Sequence, residues 1–586
     1  MNDLTVNRNT LWASLLVEEL VRHGVDYFCL APGSRNAPLT LAVAAHTRVR
    51  ESMHWDERAV GFHAVGYGRA TGRPAVIITT SGTAVANLLP AVIEASLEQI
   101  PLLVLTGDRP PELRHTCANQ TIDQVKIFGD YVRWFVDLPC PTRRISPAFV
   151  LTTVDQAVHR CRRGVPGPVH INCMFREPLT PEPEEADFTA YLKALSRWRE
   201  MSAPYTVYEG GGSRKEVGGK EGIADILRRT ERGVVVVGKV NVWTARTGVR
   251  RLAERLQWPV CADITSGFRL GDPSGLVMGA ADVLAIDEGF STAHAPEVVL
   301  HLGGRVVSKQ MERFFHHDDL THYILVSDHV GRQDPGHRVT RRVEGDLDEV
   351  CSALADQLSL AAPSSWLASW QRRSEAADAC LDAYVQGAED LNEPLVARLI
   401  SEVVPAGHAL FLANSTPVRS MNRFANATGA PVCVGANRGA SGIDGTLAAA
   451  AGFAAGCRRP VTLFMGDLAF LHDLNALNYL KAGEYPVITV VINNNGGGIF
   501  SHLPIARYDR FFEKYFVTPH GLTFKKVAAM YGVSYHCPTV VQEFLTAYRQ
   551  AVDSGGSAII EIPVNRKKDR AVYMQLIADV HQASQG

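Results

Sequence analysis

Short runs of valine, isoleucine and leucine alternate with longer amphipathic stretches along the whole chain. Near the start, the helical pattern LWASLLVEELVRHG (11–24) leads into VDYFCL (25–30), a turn at APGSRN (31–36) and another helix. PAVIITT, PLLVLTG and PVHINC continue the strand series. The middle of the chain offers VVVVG, PVCADI, EVVLHLGG and HYILVSD, and the last third ALFLAN, PVTLFMGD, PVITVVINN and AIIEIPV. These strands are apolar throughout rather than alternating. That pattern marks parallel strands buried on both faces, and the intervening helices supply the cover. The expected fold class is α/β, with three domains each built on a mainly parallel sheet covered by helices.

Two stretches read as linkers: the acidic, proline-rich TPEPEEAD (180–187) and the glycine-rich, charged EGGGSRKEVGGK (209–220). A further boundary falls at AAPSSW (361–366), ahead of a charged helix. The expected domains are therefore 1–185, 186–360 and 361–586, in keeping with about 150 residues per domain. GYGRATGRPAVIITTSG…PLLVLTG in the first domain also resembles GFAAGCRRPVTLFMGD…PVITVVINN in the third, with proline pairs 27 and 26 positions apart. Two related outer domains around a different middle one are expected.

Composition narrows the function. Lysine plus arginine number 59 against 61 aspartate plus glutamate, a net charge of −2. This argues against a nucleic-acid partner bound by broad phosphate neutralisation, but not against a few cations gathered in one pocket. A hydrophobic fraction of 46% supports several cores, while 8% aromatics exclude a disordered chain. The eleven cysteines are scattered singly, none as CxxC, which fits free thiols in a reducing compartment. MNDLTVNRNTLW has no basic region followed by an apolar stretch. The uncharged stretch 74–93 contains Ser81, Asn87 and Pro90, so it reads as strand, turn and helix rather than a membrane span. A cytoplasmic location with no membrane partner is expected.

Several segments imitate functional motifs. Gly66-Tyr67-Gly68 with Gly72 resembles a dinucleotide fingerprint, but its third glycine is one residue late and it ends a helix. Close packing and a helix C-cap explain it better. HHDDLTH (316–322) reads as a solvated loop, and Cys117 lacks the context of a nucleophile. A stronger signal is Met465-Gly466-Asp467-Leu468 followed by Asn493-Asn494-Asn495-Gly496-Gly497, each run at the C-terminal end of an apolar strand. Ligands bind at that edge of a parallel sheet. A carboxylate, an amide oxygen and a glycine carbonyl make a hard-oxygen set suited to Mg²⁺. The glycines allow backbone amides to approach a diphosphate.

The GD…NN pair resembles the cofactor motif of thiamine diphosphate-dependent enzymes. Leu468 stands where that family usually has glycine. The departure matches one subfamily, as do APGSRNAPL, HWDERAVGFHAVGYGRATG, TSGTAVANLLPAVIEA, TGDRPPELRHTCANQTIDQ and NRGASGIDG. These segments look like the 2-succinyl-5-enolpyruvyl-6-hydroxy-3-cyclohexene-1-carboxylate synthases of menaquinone biosynthesis. The likeness covers the first and third domains and thins in the middle one to CADITSG and the Ser308-Lys309 region.

The resemblance implies a transferase that decarboxylates 2-oxoglutarate and adds the succinyl-semialdehyde carbanion equivalent 1,4 to isochorismate. It implies Mg²⁺ or Mn²⁺ held by Asp467, Asn494 and Gly496, with Ser81, Gly82, Asn414, Ser415, Gly466, Leu468, Ile499 and Phe500 around the cofactor. Glu57 would activate the cofactor from an apolar pocket at the end of the strand SMHWD, although a first-turn glutamate also suits the helix dipole. Ile443 would prop the bent cofactor, or sit in the core. Both substrates are dicarboxylates, so local arginines are needed. Arg35, Arg419 and Arg438 are carried over as catalytic and substrate-binding, and Ser34, Arg109, Asn119, Gln120 and Lys309 as substrate-binding. A homodimer or dimer of dimers, with sites at the subunit interface, is also implied. Acetohydroxyacid synthase-like or oxalyl-CoA decarboxylase-like chemistry is the alternative, sharing the cofactor motif but lacking the CANQ and NRGASGIDG arginine set. A cofactor-binding relic would have lost Glu57 or Asp467. VVVVG and EVVLHLGG also permit a nucleotide in the middle domain, without a complete phosphate fingerprint.

Overall fold

The computed structural model describes residues 6–185, 187–209 and 220–585. Ala186 in the first expected linker and 210–219 in the second lie outside the described residues. The chain forms two compact units, one of 1–212 with 437–457 and 475–482, the other of 213–436 with 458–474 and 483–586. No described helix is long and apolar enough to cross a membrane.

The first unit holds a six-stranded parallel sheet in the order Arg50–Met53, Tyr27–Leu30, Ala75–Thr79, Leu102–Asp108, Pro168–Met174, Trp134–Leu138. One face is covered by the helices Arg8–Arg22 and Ala148–Arg162, whose Leu11, Leu15, Val154 and Val158 meet Phe28, Val76, Leu103 and Val169 in one core. Fully burying each such side chain stabilises by about 1.5–3 kcal/mol.

The helix Glu57–Thr71 packs against Thr446–Cys457, and here two glycines set the distance. A Cβ on Gly66 would stand 2.0 Å from the Ala449 carbonyl oxygen, and one on Gly452 1.9 Å from that of His63. Gly72 ends the helix in the left-handed region at φ 67°. The glycines of GYGRATG thus serve packing and capping, as expected. Gly66→Ala should destabilise the protein by at least about 1–3 kcal/mol, because backbone rather than a flexible side chain stands in the way. An unchanged midpoint in thermal unfolding would contradict this.

The second unit holds two parallel sheets. The five-stranded one runs Arg341–Glu344, His322–Ser327, Val298–Leu302, Gly233–Val237, Val260–Ala262. The six-stranded one runs Cys433–Ala436, Ala409–Leu412, Val461–Gly466, Val487–Asn493, Ala558–Pro563, Ser534–His536. Numbered from their own first strands, both six-stranded sheets have the order 2-1-3-4-6-5, and the five-stranded one 5-4-3-1-2. The two prolines of each similar segment precede the third and fourth strands of their sheets. The α/β class with three helix-covered parallel sheets is what the structure has.

Three strands escaped the sequence pattern: Trp134–Leu138, Arg341–Glu344 and Ser534–His536. Each is an edge strand, partly exposed, so its residues are not continuously apolar. All eleven cysteines are free thiols. HHDDLTH is absorbed locally: His316 stacks on Tyr323, and His317 hydrogen-bonds the Pro296 carbonyl at 2.9 Å.

Candidate functional site

In the first unit the candidate residues gather beyond the C-terminal ends of the strands. The strand before Glu57 stops at Met53, earlier than SMHWD implied, and His54-Trp55-Asp56 form the connection. Asp56 caps the helix, its Oδ1 accepting from the Arg58 amide at 3.0 Å and the Ala59 amide at 3.4 Å. Glu57 is the first helical residue and half-buried, while Trp55 is 55% exposed and lends it no enclosed apolar wall within this unit.

Ser81, Gly82, Arg109 and Gln120 come together. Arg109 donates to Ser81 Oγ, Ser81 Oγ donates to the Gln120 carbonyl at 3.1 Å, and Gln120 Nε2 returns a bond to the Ser81 carbonyl at 2.9 Å. The Gly82 amide donates to Gln124 Oε1 at 3.0 Å, and Gln124 also bonds Asn172 at 2.9 Å. Gln124, fully buried, is a positioning residue not singled out from the sequence, although it closes the TCANQTIDQ motif.

Arg35 is buried and directs Nη1 to the Phe175 carbonyl at 3.0 Å and Nη2 to Glu177 at 3.2 Å. Its buried Nε has no partner among the described residues. Burial, together with nearby Arg35, holds the Arg109 guanidinium below its ordinary value. The carboxylates of Asp108 and Glu177 act on the same guanidinium in the opposite direction. Ser34 and Asn119 are exposed on the loops alongside. Arg438 and Ile443, also in this unit, are half-buried, so Ile443 is not a core side chain.

In the second unit, Asp467 opens a helix directly after the strand Val461–Gly466. It is 2% exposed. Its Oδ2 accepts from the Gly496 amide at 2.9 Å and lies 3.1 Å from His520 Nε2, and its Oδ1 accepts from the Leu468 amide at 2.7 Å. Burial pushes this carboxyl up, against those three contacts. Asn494, at the end of the neighbouring strand, is buried with Oδ1 unpartnered among the described residues. Gly496 has φ 134°, and a Cβ there would stand 2.1 Å from the Val517 carbonyl oxygen.

A buried amide oxygen left without a donor costs free energy unless something electropositive meets it. With the Asp467 carboxylate beside it, the donor set fits a hard divalent cation. His520 was missed because no periodic pattern marks its loop.

Around this point, Asn414 is buried, and Ser415 has φ 72° and receives a hydrogen bond from Arg419 at its carbonyl. Buried Glu393 accepts from Thr416 Oγ1 at 2.9 Å and Ser420 Oγ at 2.8 Å, which fixes the turn into the Arg419 helix. Ile499 and Phe500 are half-buried. Lys309 is exposed at the start of the helix Lys309–Phe314.

Three family models match the chain. Residues 12–127 match the thiamine pyrophosphate enzyme N-terminal TPP binding domain, 189–412 the middle domain of thiamine pyrophosphate enzymes, and 415–562 the C-terminal TPP binding domain. A 2-succinyl-5-enolpyruvyl-6-hydroxy-3-cyclohexene-1-carboxylate synthase of Rubrobacter xylanophilus is 48% identical over 98% of this chain and 99% of its own. Synthases of the same name from Salinibacter ruber and Chlorobaculum parvum are 46% and 41% identical, over 98% and 97% of this chain and 97% and 96% of theirs. The chain belongs to this synthase family. It is accordingly a thiamine diphosphate enzyme. The N-terminal model covers Glu57, Ser81, Arg109 and Gln120, and the C-terminal one Asp467, Asn494 and Gly496. A member of the synthase family thus carries its two cofactor-binding modules on the two six-stranded sheets.

Proposed function

We propose that this chain decarboxylates 2-oxoglutarate and joins the remaining four-carbon unit to isochorismate by 1,4-addition, releasing CO₂. The observation that carries this reading is full-length kinship to the synthases, together with an arginine-lined strand edge in one unit and a hard-oxygen site in the other. Thiamine diphosphate supplies, when bound, a nucleophilic ring carbon and a sink for the electrons freed by decarboxylation.

The chain's own residues do the rest. Glu57 would hold and pass a proton at the pyrimidine ring of the bound cofactor, and Ile443 would support the cofactor from its side. Asp467, Asn494 and the Gly496 carbonyl hold Mg²⁺ or Mn²⁺, and Gly466, Leu468, Asn414, Ser415, Ile499 and Phe500 line the cofactor. Ser34, Arg35, Arg109, Asn119, Gln120, Lys309, Arg419 and Arg438 bind and orient the two dicarboxylates. The working form is a homodimer or a pair of dimers with sites at the subunit interface. A reducing cytoplasm suits eleven free thiols. The working domains are 1–185, 186–360 and 361–586.

The protein with Mg²⁺, thiamine diphosphate and 2-oxoglutarate should consume isochorismate and release one CO₂ per product. Turnover of pyruvate in its place, with isochorismate untouched, would favour acetohydroxyacid synthase-like chemistry.

Asn494→Ala should weaken metal-dependent cofactor binding. Losing a mere partner of a metal ligand costs about 10- to 100-fold, so losing a ligand atom costs at least as much. Calorimetry of thiamine diphosphate binding with and without Mg²⁺ measures this. Equal affinities in the variant and the parent would remove Asn494 from the site.

A further inference from the structure

Within the first unit, the turn that carries Arg438 is tied down by a buried charged cluster. Glu94, on the helix Leu89–Leu97, is 2% exposed. Its Oε1 accepts from the Gly439 amide at 3.0 Å and its Oε2 from the Ala440 amide at 2.8 Å. Oε1 also accepts from Arg69 Nη2 at 3.0 Å, and Arg69 Nη1 reaches Glu98 at 2.7 Å. Arg69 lies in the last turn of the helix that begins with Glu57, and its Nη2 is 3.3 Å from Asn437 Oδ1. Residues 437, 439 and 440 are thereby bound to the Arg69–Glu94 pair on both sides of Arg438. Gly439 is needed for the approach, since a Cβ there would stand 2.8 Å from the Glu94 carbonyl oxygen and 2.9 Å from Oε2.

A buried Arg–Glu–Glu cluster is an expensive way to stabilise a protein, because apolar residues of similar volume often do as well. What it provides is direction. Two adjacent amides pointed at one carboxylate fix a turn more tightly than apolar contact can, and charge-assisted bonds are the stronger kind. Displacing a reacting group by about 1 Å can cost about 10²-fold in rate.

We propose that Glu94 is a positioning residue for the acceptor substrate: clamped by Arg69, it holds the 437–440 turn, and with it the Arg438 guanidinium, against the helix that Glu57 opens. This rests on the proposed reading of Arg438 as a substrate-binding cation, and on the further reading that its share of the two dicarboxylates is the acceptor, isochorismate.

The test compares Glu94→Ala, Glu94→Gln, Arg438→Ala and the Glu94→Ala/Arg438→Ala pair in the full-length protein with thiamine diphosphate and Mg²⁺. Glu94→Ala should raise KM for isochorismate about tenfold or more, leaving KM for 2-oxoglutarate and the cofactor affinity near wild type. Glu94→Gln keeps one acceptor oxygen and should fall between. The double variant should be no worse than Arg438→Ala. Without substrates, amide exchange across 437–445 should quicken in Glu94→Ala while the strand Ala75–Thr79 stays protected. If Glu94→Ala does not fold, Glu94→Gln carries both readouts.

The proposal is overturned if Arg438→Ala raises the acceptor KM while the Glu94 variants leave it unchanged, or if the two effects multiply in the double variant. If Arg438→Ala itself has no effect on that KM, the reading of Arg438 fails and the proposal falls with it. Faster exchange at 437–445 in Glu94→Ala would then show the clamp to be structural only.

Discussion

A chain carrying Glu57→Gln folds and binds thiamine diphosphate as before but turns over about 10²- to 10⁴-fold more slowly. The amide has the size of the carboxyl and leaves the helix start intact, because the capping bonds to the Arg58 and Ala59 amides are made by Asp56. Only the ability to pass a proton is lost. The competing explanation for a first-turn glutamate is its interaction with the helix dipole, worth about 0.3–1 kcal/mol. A loss of 10²- to 10⁴-fold corresponds to roughly 3–5 kcal/mol of barrier, well beyond that. Steady-state kcat and exchange of the bound cofactor's C2 proton, followed by NMR, measure the two quantities that matter. Near-normal C2 proton exchange in the variant would assign the proton transfer to another group.

Mixing two dead proteins restores activity if the sites are shared between subunits. Glu57→Gln removes the proposed proton-transfer group from one chain, and Asp467→Ala removes the proposed metal ligand from the other. A twofold dimer presents each face twice. A mixed dimer then contains one site with both defects and one with neither, and statistical exchange gives roughly a quarter of wild-type activity. Mass spectrometry of the intact dimers establishes that exchange took place. Exchange without any return of activity would mean that each chain completes its own site.

Much of the fold is legible in the residue pattern. The continuously apolar runs around Val76, Leu103, Val235 and Val490 are central strands, and burial on both faces leaves them no polar alternation. The edge strands were not legible, since Arg341-Arg342-Val343-Glu344 and Ser534-Tyr535-His536 meet solvent and read like loops. The weak likeness between the first and third domains gains force from the shared strand order 2-1-3-4-6-5, which few identities could establish.

At the candidate site the division is similar. Motifs marked Asp467, Asn494, Glu57 and Arg438 as candidates, because loops that follow strand ends keep their residue types in fixed local order. The sequence by itself determined the α/β class, the glycine-lined turns and the identity of these side chains. Only the tertiary structure decided that Gln124 holds the Gly82 amide, that Glu393 fixes the turn before Arg419, and that Glu94 holds the turn of Arg438. The partners in these bonds stand 42, 23 and 345 positions apart. Local periodicity reports which face of an element is buried, whereas a buried polar side chain finds its partner through the packing of distant elements, which no spacing along the chain encodes.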